Sequence, residues 1–235
     1  MNAEAFALSF FDPDHELYGI ARSGATLLFE GRKPGAHAGG PRIEKDGDGW
    51  RAELPGRLAL RLEPVSPELE LGGVSARLCR VNGEAEGRKV SCLGTFSVTA
   101  EPPRWEELDA IRSISALVDE GNALLALARR PRDAAGHGHE VVRAGMLRDG
   151  ELHQVEEARI STVYDGGGRQ RSAGLELWLP GEEFPRRGSG LVIAGSSLDL
   201  DPVRVHAAIF RWRLDGREGI GAYELMVRME PPEAA

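Results

Sequence analysis

The sequence contains few cysteines and no recognisable export signal. Its 235 residues include only Cys79 and Cys92. The segment from Met1 to Glu16 lacks a basic start, and Asp12 and Asp14 interrupt its apolar residues before they reach the length of a signal-peptide core. Because disulfides persist mainly in oxidising compartments, we expect a cytoplasmic protein in which both thiols are unbridged.

The sequence also lacks an excess of positive charge and a long apolar run. Its formal net charge is -8, and only three of its 29 basic residues are lysines. Nucleic acids and anionic membrane surfaces are recognised by basic patches, so neither is an expected partner. No apolar stretch approaches the roughly 20 residues of a membrane-spanning helix, so no membrane span is expected.

Motifs of several common enzyme classes are missing. We find no GxSxG nucleophile motif, no GxxxxGKS/T phosphate-binding loop and no CxxC pair. The Gly219-Ile220-Gly221 tripeptide falls in a strand-and-turn context and not at the start of a helix, so it is not expected to bind phosphate. We therefore expect no cofactor.

Most of the sequence consists of short segments in which apolar and polar residues alternate. In the segment RLALRLEP, Leu58, Leu60 and Leu62 fall on one side of an extended chain and charged residues on the other. This period of two is typical of antiparallel strands with one buried face. Glycine-containing pairs separate the segments and favour tight hairpin turns. They include Asn82-Gly83, Asp149-Gly150 and Asp215-Gly216.

The strand pattern divides the chain into two parts. We predict an all-β fold with an N-terminal antiparallel half at residues 1–100 and a C-terminal antiparallel half at residues 123–235, each a barrel or a sandwich. The alternation pauses at residues 101–122, where apolar residues recur at helical spacing after two prolines. We predict that this segment forms a short connecting helix.

The last third of the chain carries the most specific pattern. It contains MLRDGELHQVEEARISTVYDGGGRQRSAGLELWLPGE at residues 146–182 and IFRWRLDGREGIGAYELMVR at residues 209–228. Within the second segment, residues 215–224 form the motif DGREGIGAYE, and the opening segment at residues 6–24 reads FALSFFDPDHELYGIARSG. These segments resemble the lipocalin-like proteins grouped with AttH and the carotenoid hydratases.

The resemblance implies two lipocalin-like, calycin-type barrels and an apolar pocket suited to isoprenoid, steroid or polyketide-like molecules. Enzymes of this group add water to double bonds, isomerise or cyclise, and use no redox cofactor. They tend to carry a His-Ser-Trp-Gly-like signature ahead of an Arg-Asp pair in the first strand of the second half. The nearest segment here, GHGHEVVR at residues 136–143, keeps a histidine and an arginine but departs from that signature in lacking the tryptophan and the aspartate.

This segment contains three candidate catalytic residues, His139, Glu140 and Arg143. His137, His139 and Glu140 form the only histidine cluster of the sequence, but the HxxxH spacing of zinc-binding helices is missing, so no metal site is expected. Two interpretations stay open. The segment is either a glycine-rich loop that happens to hold histidines, or a pocket mouth where His139 or Glu140 gives a proton to an alkene or takes one from water.

Glu224 is the fourth candidate catalytic residue. It shares one face of the last strand with Ala222 and Met226. If the opposite face is the core, Glu224 is exposed to solvent. If the barrel lumen is a pocket, Glu224 can point inward, with Arg143 and Arg228 as possible partners.

Four aromatic residues are candidates for the walls of the pocket. Trp178, Phe210, Trp212 and Tyr223 could line an apolar cavity and stabilise a developing positive charge through their ring faces. The alternative is that they are ordinary core residues.

Together these observations favour a pocket protein that acts on a small apolar metabolite. We expect cofactor-free hydration, isomerisation or cyclisation of an isoprenoid, steroid or polyketide-like molecule. The alternatives are a non-catalytic carrier or sensor of such a ligand, and an interaction module with a filled core. A cavity of several hundred Å3 with an inward carboxylate or histidine would favour the enzyme.

Overall fold

The computed structural model describes residues 5–135 and 137–229, most of which lie in two antiparallel sheets, as predicted for an all-β fold. The first sheet contains β1 (Ala5–Asp12), β2 (Leu17–Arg22), β3 (Ala25–Glu30), β4 (Lys33–Ala38), β5 (Arg42–Asp46), β6 (Gly49–Leu54), β7 (Leu58–Pro64), β8 (Leu69–Glu70), β9 (Val74–Ala85) and β10 (Arg88–Thr99). The second contains β11 (Leu108–Asp119), β12 (Asn122–Pro131), β13 (Val141–Arg148), β14 (Glu151–Gln154), β15 (Glu157–Tyr164), β16 (Gln170–Trp178), β17 (Arg186–Leu200), β18 (Val203–Leu214) and β19 (Arg217–Arg228). A short 3-10 helix covers His137–His139.

Both sheets have the same topology. The strand order is β4-β3-β2-β1-β10-β9-β7-β6-β5 in the first sheet, with β8 added beside β9, and β14-β13-β12-β11-β19-β18-β17-β16-β15 in the second. In each sheet the first strand of the half pairs with the last, so the meander curls back on itself. The free edges are consecutive strands, β4 and β5 in one sheet and β14 and β15 in the other. Each half is therefore a curled, barrel-like sheet.

The described residues form three hydrophobic cores, one inside each half and one between the halves. One fills the lumen of the first half around Phe10, Leu60 and Val81, and another fills the lumen of the second half around Phe210 and Trp212. The third lies between the halves and combines side chains of β2, β3, β9, β11, β12 and β18. Strands such as β11 and β18 therefore bury one face in their own lumen and the other face against the opposite half.

The predicted connecting helix is wrong, because residues 108–119 form strand β11. The first sheet ends at Thr99 and the second begins at Leu108, with a turn at residues 105–107 between them. Both faces of β11 are largely buried, so the alternation that marks a half-exposed strand is absent from it. The described residues include no helix that is long and apolar enough to cross a membrane.

Two of the predicted hairpin turns are confirmed. Asp149 and Gly150 join β13 to β14 with φ angles of 50° and 86°, and Asp215 and Gly216 join β18 to β19 with φ angles of 49° and 82°. A two-residue turn with positive φ at both central residues has a backbone twist that matches the right-handed twist of the flanking strands.

The turn predicted at Asn82-Gly83 is wrong, because both residues lie inside β9. The hairpin after β9 uses Glu86 and Gly87 instead, with φ angles of 50° and 71°. Glycine is required at position 83 for another reason. A Cβ atom there would overlap the carbonyl oxygen of Ala59 on the neighbouring strand β7.

Candidate functional site

A pocket of about 660 Å3 lies at one end of the barrel formed by the second half. Its wall combines the start of β11, the end of β12, the start of β18 and the end of β19. Tyr164 at the end of β15 and Glu140, just before β13, complete it. Because β11, β12, β18 and β19 neighbour one another in the sheet, residues from distant parts of the sequence meet at this end.

A buried ion pair lies in the wall of this pocket. Arg112 shares the lumen face of β11 with Ala110 and Ile114, and it donates a hydrogen bond to the carboxylate of Glu140. The two side chains are only 3% and 2% exposed. Such a pair is stable in a barrel interior only when the remaining donors and acceptors are also satisfied.

Neighbouring hydroxyl groups accept further hydrogen bonds from the guanidinium of Arg112. The guanidinium of Arg112 also lies 3.3 Å from both the Tyr223 hydroxyl and the Thr162 hydroxyl. Those two hydroxyls are 2.7 Å apart. Burial raises the pKa of Tyr223 to about 12, so its hydroxyl keeps its proton at neutral pH. Arg112, Glu140, Thr162 and Tyr223 therefore form one connected polar cluster.

His206 is a further titratable group in the wall of the pocket. It lies on the lumen face of β18, in line with Ala208 and Phe210. Its Nδ1 is 2.7 Å from the hydroxyl of Ser197, which fixes the ring. Burial, together with the charge of Arg204, lowers the pKa of His206, so the ring is neutral at pH 7. A neutral, oriented imidazole is suited to accept a proton.

Three of the four predicted aromatic residues share the lumen of the second half. Phe210 stacks on Trp212 with ring centroids 5.2 Å apart, and the ring of Tyr223 packs on Phe210 at 5.6 Å. All three are fully buried and belong to the core beneath the pocket. Trp178 lies elsewhere, on the outer face of β16, where Arg159 covers its ring at 4.8 Å.

Of the four predicted catalytic residues, only Glu140 lines this pocket. Arg143 is exposed and lines a neighbouring pocket of about 580 Å3, which also borders Arg112 and Glu140. His139 is exposed, and its ring nitrogen accepts a hydrogen bond from the backbone N–H of Ala135. The structure describes no side chain for His137. The catalytic roles of His139 and Arg143 stay predictions.

Glu224 lies between the two halves and not in the lumen. As predicted from the alternation, it shares a face of β19 with Ala222 and Met226, but that face is buried against the first half. Its carboxylate accepts a hydrogen bond from Arg22 of β2. The predicted partners Arg143 and Arg228 are replaced by an arginine of the other half, and a catalytic role for Glu224 stays a prediction.

Sequence reasoning missed Arg112 and His206 as site residues. Arg112 was hidden in a segment interpreted as a helix. His206 alternates in phase with Phe210 and Trp212, but nothing in the sequence distinguishes a lumen face with a pocket from one with a filled core. Within residues 5–135 and 137–229, no cluster of three His, Cys, Asp or Glu residues could hold a metal ion.

The fold and the pocket define a class of protein in which two curled antiparallel barrels pack together in one chain. Two solved structures share this fold. A protein from Nitrosomonas europaea assigned to AttH aligns with a TM-score of 0.62 at 13% sequence identity, over 95% of this chain and 92% of that one. Kievitone hydratase from Nectria haematococca aligns with a TM-score of 0.58 at 8% identity, over 97% of this chain and 89% of that one.

The predicted resemblance to the AttH group is thereby confirmed as a likeness of fold. A scan of the sequence against protein-family models and a search of curated proteins both give no match.

Proposed function

We propose that this protein is an enzyme that adds water to a carbon–carbon double bond, or eliminates water from an alcohol to form one, in a small, largely apolar molecule bound in the second barrel. One observation carries the proposal. The pocket of about 660 Å3 has an inward carboxylate, Glu140, and an inward histidine, His206, in a single wall. Its volume is within the range of small-molecule sites. The fold shared with kievitone hydratase supports hydration as the reaction class.

Hydration needs one group that removes a proton from water and another that supplies a proton to carbon. His206 is neutral, and in the proposed tautomer its Nδ1–H donates to the Ser197 hydroxyl, so Nε2 is the unprotonated ring nitrogen, on the side of Gly168 in the pocket wall. In the proposed step, Nε2 accepts a proton from water as the water oxygen bonds to one carbon. The other carbon takes a proton from a pocket acid, and Tyr164 lies in the same wall.

The polar cluster around Glu140 would orient water and stabilise developing charge. Arg112 holds the carboxylate, while Thr162 and Tyr223 hold Arg112, so the group is positioned before substrate binds. Preorganised dipoles of this kind lower a barrier because they need no reorganisation during the reaction. The apolar core beneath, with Phe210, would exclude bulk water from the reacting atoms.

The first experiment is native mass spectrometry of the purified protein, followed by organic extraction and identification of any bound molecule. A co-purified isoprenoid, steroid or polyketide-like compound then serves as the assay substrate. We expect His206→Asn, which keeps a polar partner for Ser197, to lose at least a hundredfold in kcat while binding is retained. Glu218→Gln, a change at an exposed position of β19, is the matched control.

The outcomes separate the two pocket functions. A bound compound that is chemically unchanged by the protein, with His206→Asn binding it as the unmodified protein does, would favour the carrier or sensor. A protein that yields no ligand and shows no thermal shift across an apolar panel would contradict both pocket functions.

A further inference from the structure

We infer that the molecule bound in the second barrel is an anionic amphiphile, whose acidic head group is held by Arg130 and Arg228 at the pocket rim. Its apolar body would lie along Leu225 and Val227. This inference rests on the proposed function, because it takes the same pocket as the ligand site and names the chemistry of the ligand.

The pocket wall carries more positive than negative charge. Four arginines and one glutamate line it. Arg112 is neutralised by Glu140, and Arg204 is neutralised by Asp199 through two hydrogen bonds of 2.6 and 2.9 Å. These two arginines have their charge partners within the protein and leave little capacity for a ligand anion.

Arg130 and Arg228 account for the remaining positive charge. The one ion pair of Arg130 within the described part of the chain is with Asp109 at 4.0 Å, the outer limit for such a contact. The Nε atom of Arg130 is buried and has no hydrogen-bond partner among the described residues. Arg228 forms no ion pair with any residue in 5–135 or 137–229. A buried or half-buried guanidinium without an anion loses solvation that a ligand carboxylate can replace.

An apolar strip, formed by Leu225 and Val227 of β19, lines the same pocket as these two arginines. Ala110 of β11 pairs with Arg130 of β12 on one side and with Val227 of β19 on the other, so Arg130 and the strip are two strands apart in the sheet. Leu225 continues the strip into the lumen. A neutral ligand of the same shape would fill the strip but leave both rim guanidinium groups unpaired.

The charge of the pocket is opposite to the net charge of the whole chain, which supports the same conclusion. The protein carries a formal net charge of -8, so a pocket with two unneutralised arginines is a local exception that attracts anions from a surface that otherwise repels them.

The test compares ligands that differ only in charge. We would titrate the protein with 2-naphthoate and with 2-naphthalenemethanol, which share the ring system and differ in a carboxylate against a hydroxyl group. We expect 2-naphthoate to bind at least tenfold more tightly. 2-Naphthyl phosphate is the third probe, and it shows whether the site prefers a phosphate monoester or a carboxylate as the anionic head. Tighter binding of either anion than of the alcohol supports the inference.

Substitutions of the two arginines test whether they cause the preference for the anion. Arg130→Gln with Arg228→Gln should remove the preference for the anion by weakening 2-naphthoate about tenfold, and should leave the binding of 2-naphthalenemethanol unchanged. Arg213→Gln is the matched control, because Arg213 is an exposed arginine on the outer face of β18. It should change neither affinity.

The remaining outcomes overturn the inference in distinguishable ways. If neither anion binds more tightly than the alcohol, or if the preference for an anion survives in the double variant, the anionic ligand is overturned while the pocket still stands. Failure of all three probes to bind would overturn the inference together with the pocket as a ligand site.

Discussion

Arg112 of β11 donates a hydrogen bond to Glu140, and the two side chains are among the most buried charged groups of the second barrel. Their segments are separated by the whole of β12 and by the loop that contains the 3-10 helix. The pair therefore ties that loop to the barrel wall at the pocket.

Removal of one member of this pair should be costly, whereas removal of both should be tolerated. Arg112→Met removes the guanidinium that compensates the buried carboxylate of Glu140, and we expect the free energy of unfolding to fall by about 3–5 kcal/mol. The double variant Arg112→Met with Glu140→Leu removes both charges and should recover most of that loss. Urea unfolding at pH 7 measures the free energy of unfolding of both variants. A double variant no more stable than Arg112→Met would show that the ion pair is not the source of the loss.

The ion pair between Arg22 and Glu224 should stabilise the contact between the halves. Its side chains are 20% and 10% exposed, so Glu224→Gln leaves a largely buried guanidinium and should cost about 2 kcal/mol, between the values for exposed and buried pairs. Glu120→Gln is the control. Glu120 pairs with Arg80 across the same two halves, but those side chains are 49% and 46% exposed. Its loss should cost only a few tenths of a kcal/mol. Equal losses in urea unfolding would contradict this assignment.

The alternation of apolar and polar residues was sufficient to predict the strands that have one exposed face. In β7, Leu58, Leu60 and Leu62 are buried while Ala59 and Arg61 are exposed, as the sequence indicated. The same rule failed for β11, because both of its faces are buried, one in the lumen and one against the first half. The number of buried faces depends on how the halves pack, which is a tertiary property that no local pattern contains.

The candidate site was predictable only in part for the same reason. Glu140 stood out because it adjoins the histidines of a glycine-rich segment. Arg112 is the one charged residue between Asp109 and Asp119 in the buried strand β11, and Glu140 is 28 positions away in sequence. Only the curvature of the sheet brings the two together. Glu224 shows the converse, since its face of β19 was predicted correctly but the partner half that covers this face was not.

The glycines of the DGREGIGAYE motif have a structural role at the seam between β11 and β19, and this leads to a prediction. A Cβ atom on Gly221 would overlap the carbonyl oxygen of Ser115, where the backbone N–H of Ala222 bonds to the Ser115 hydroxyl instead of to a carbonyl. We expect Gly221→Ala to force the first and last strands of the barrel apart.

The thermal midpoint measures that effect. Gly221→Ala should lower it by more than 10 °C, given that about 1 kcal/mol shifts the midpoint by roughly 2–4 °C in a chain of this size. Gly195→Ala on β17 is the matched control, because its nearest neighbour would be at an ordinary 3.5 Å. The control should unfold within a few degrees of the unmodified protein. Similar midpoints for the two variants would refute the close approach at the seam.

The lowered pKa of His206 predicts a loss of stability in mild acid. Burial is the main cause, the charges of Arg204 and Arg169 act in the same direction, and Asp165 and Asp199 oppose them. The unfolded chain binds a proton at this residue at a higher pH than the folded chain does, near the ordinary value of about 6.5. The contribution of the neutral His206 ring to the free energy of unfolding is therefore fully present above that pH. It is lost as the pH falls from about 6.5 through the pKa of the folded state.

His206→Asn removes this titration while keeping a polar partner for Ser197. We expect the free energy of unfolding of the unmodified protein to fall more steeply between pH 7 and pH 5 than that of the variant, since asparagine does not ionise. Above pH 7.5 the two proteins should differ by a constant amount. Urea titrations at half-unit pH steps measure the two curves. Parallel curves down to pH 5 would mean that His206 takes up its proton as readily in the folded barrel as in water, which is incompatible with a buried, neutral ring at the pocket wall.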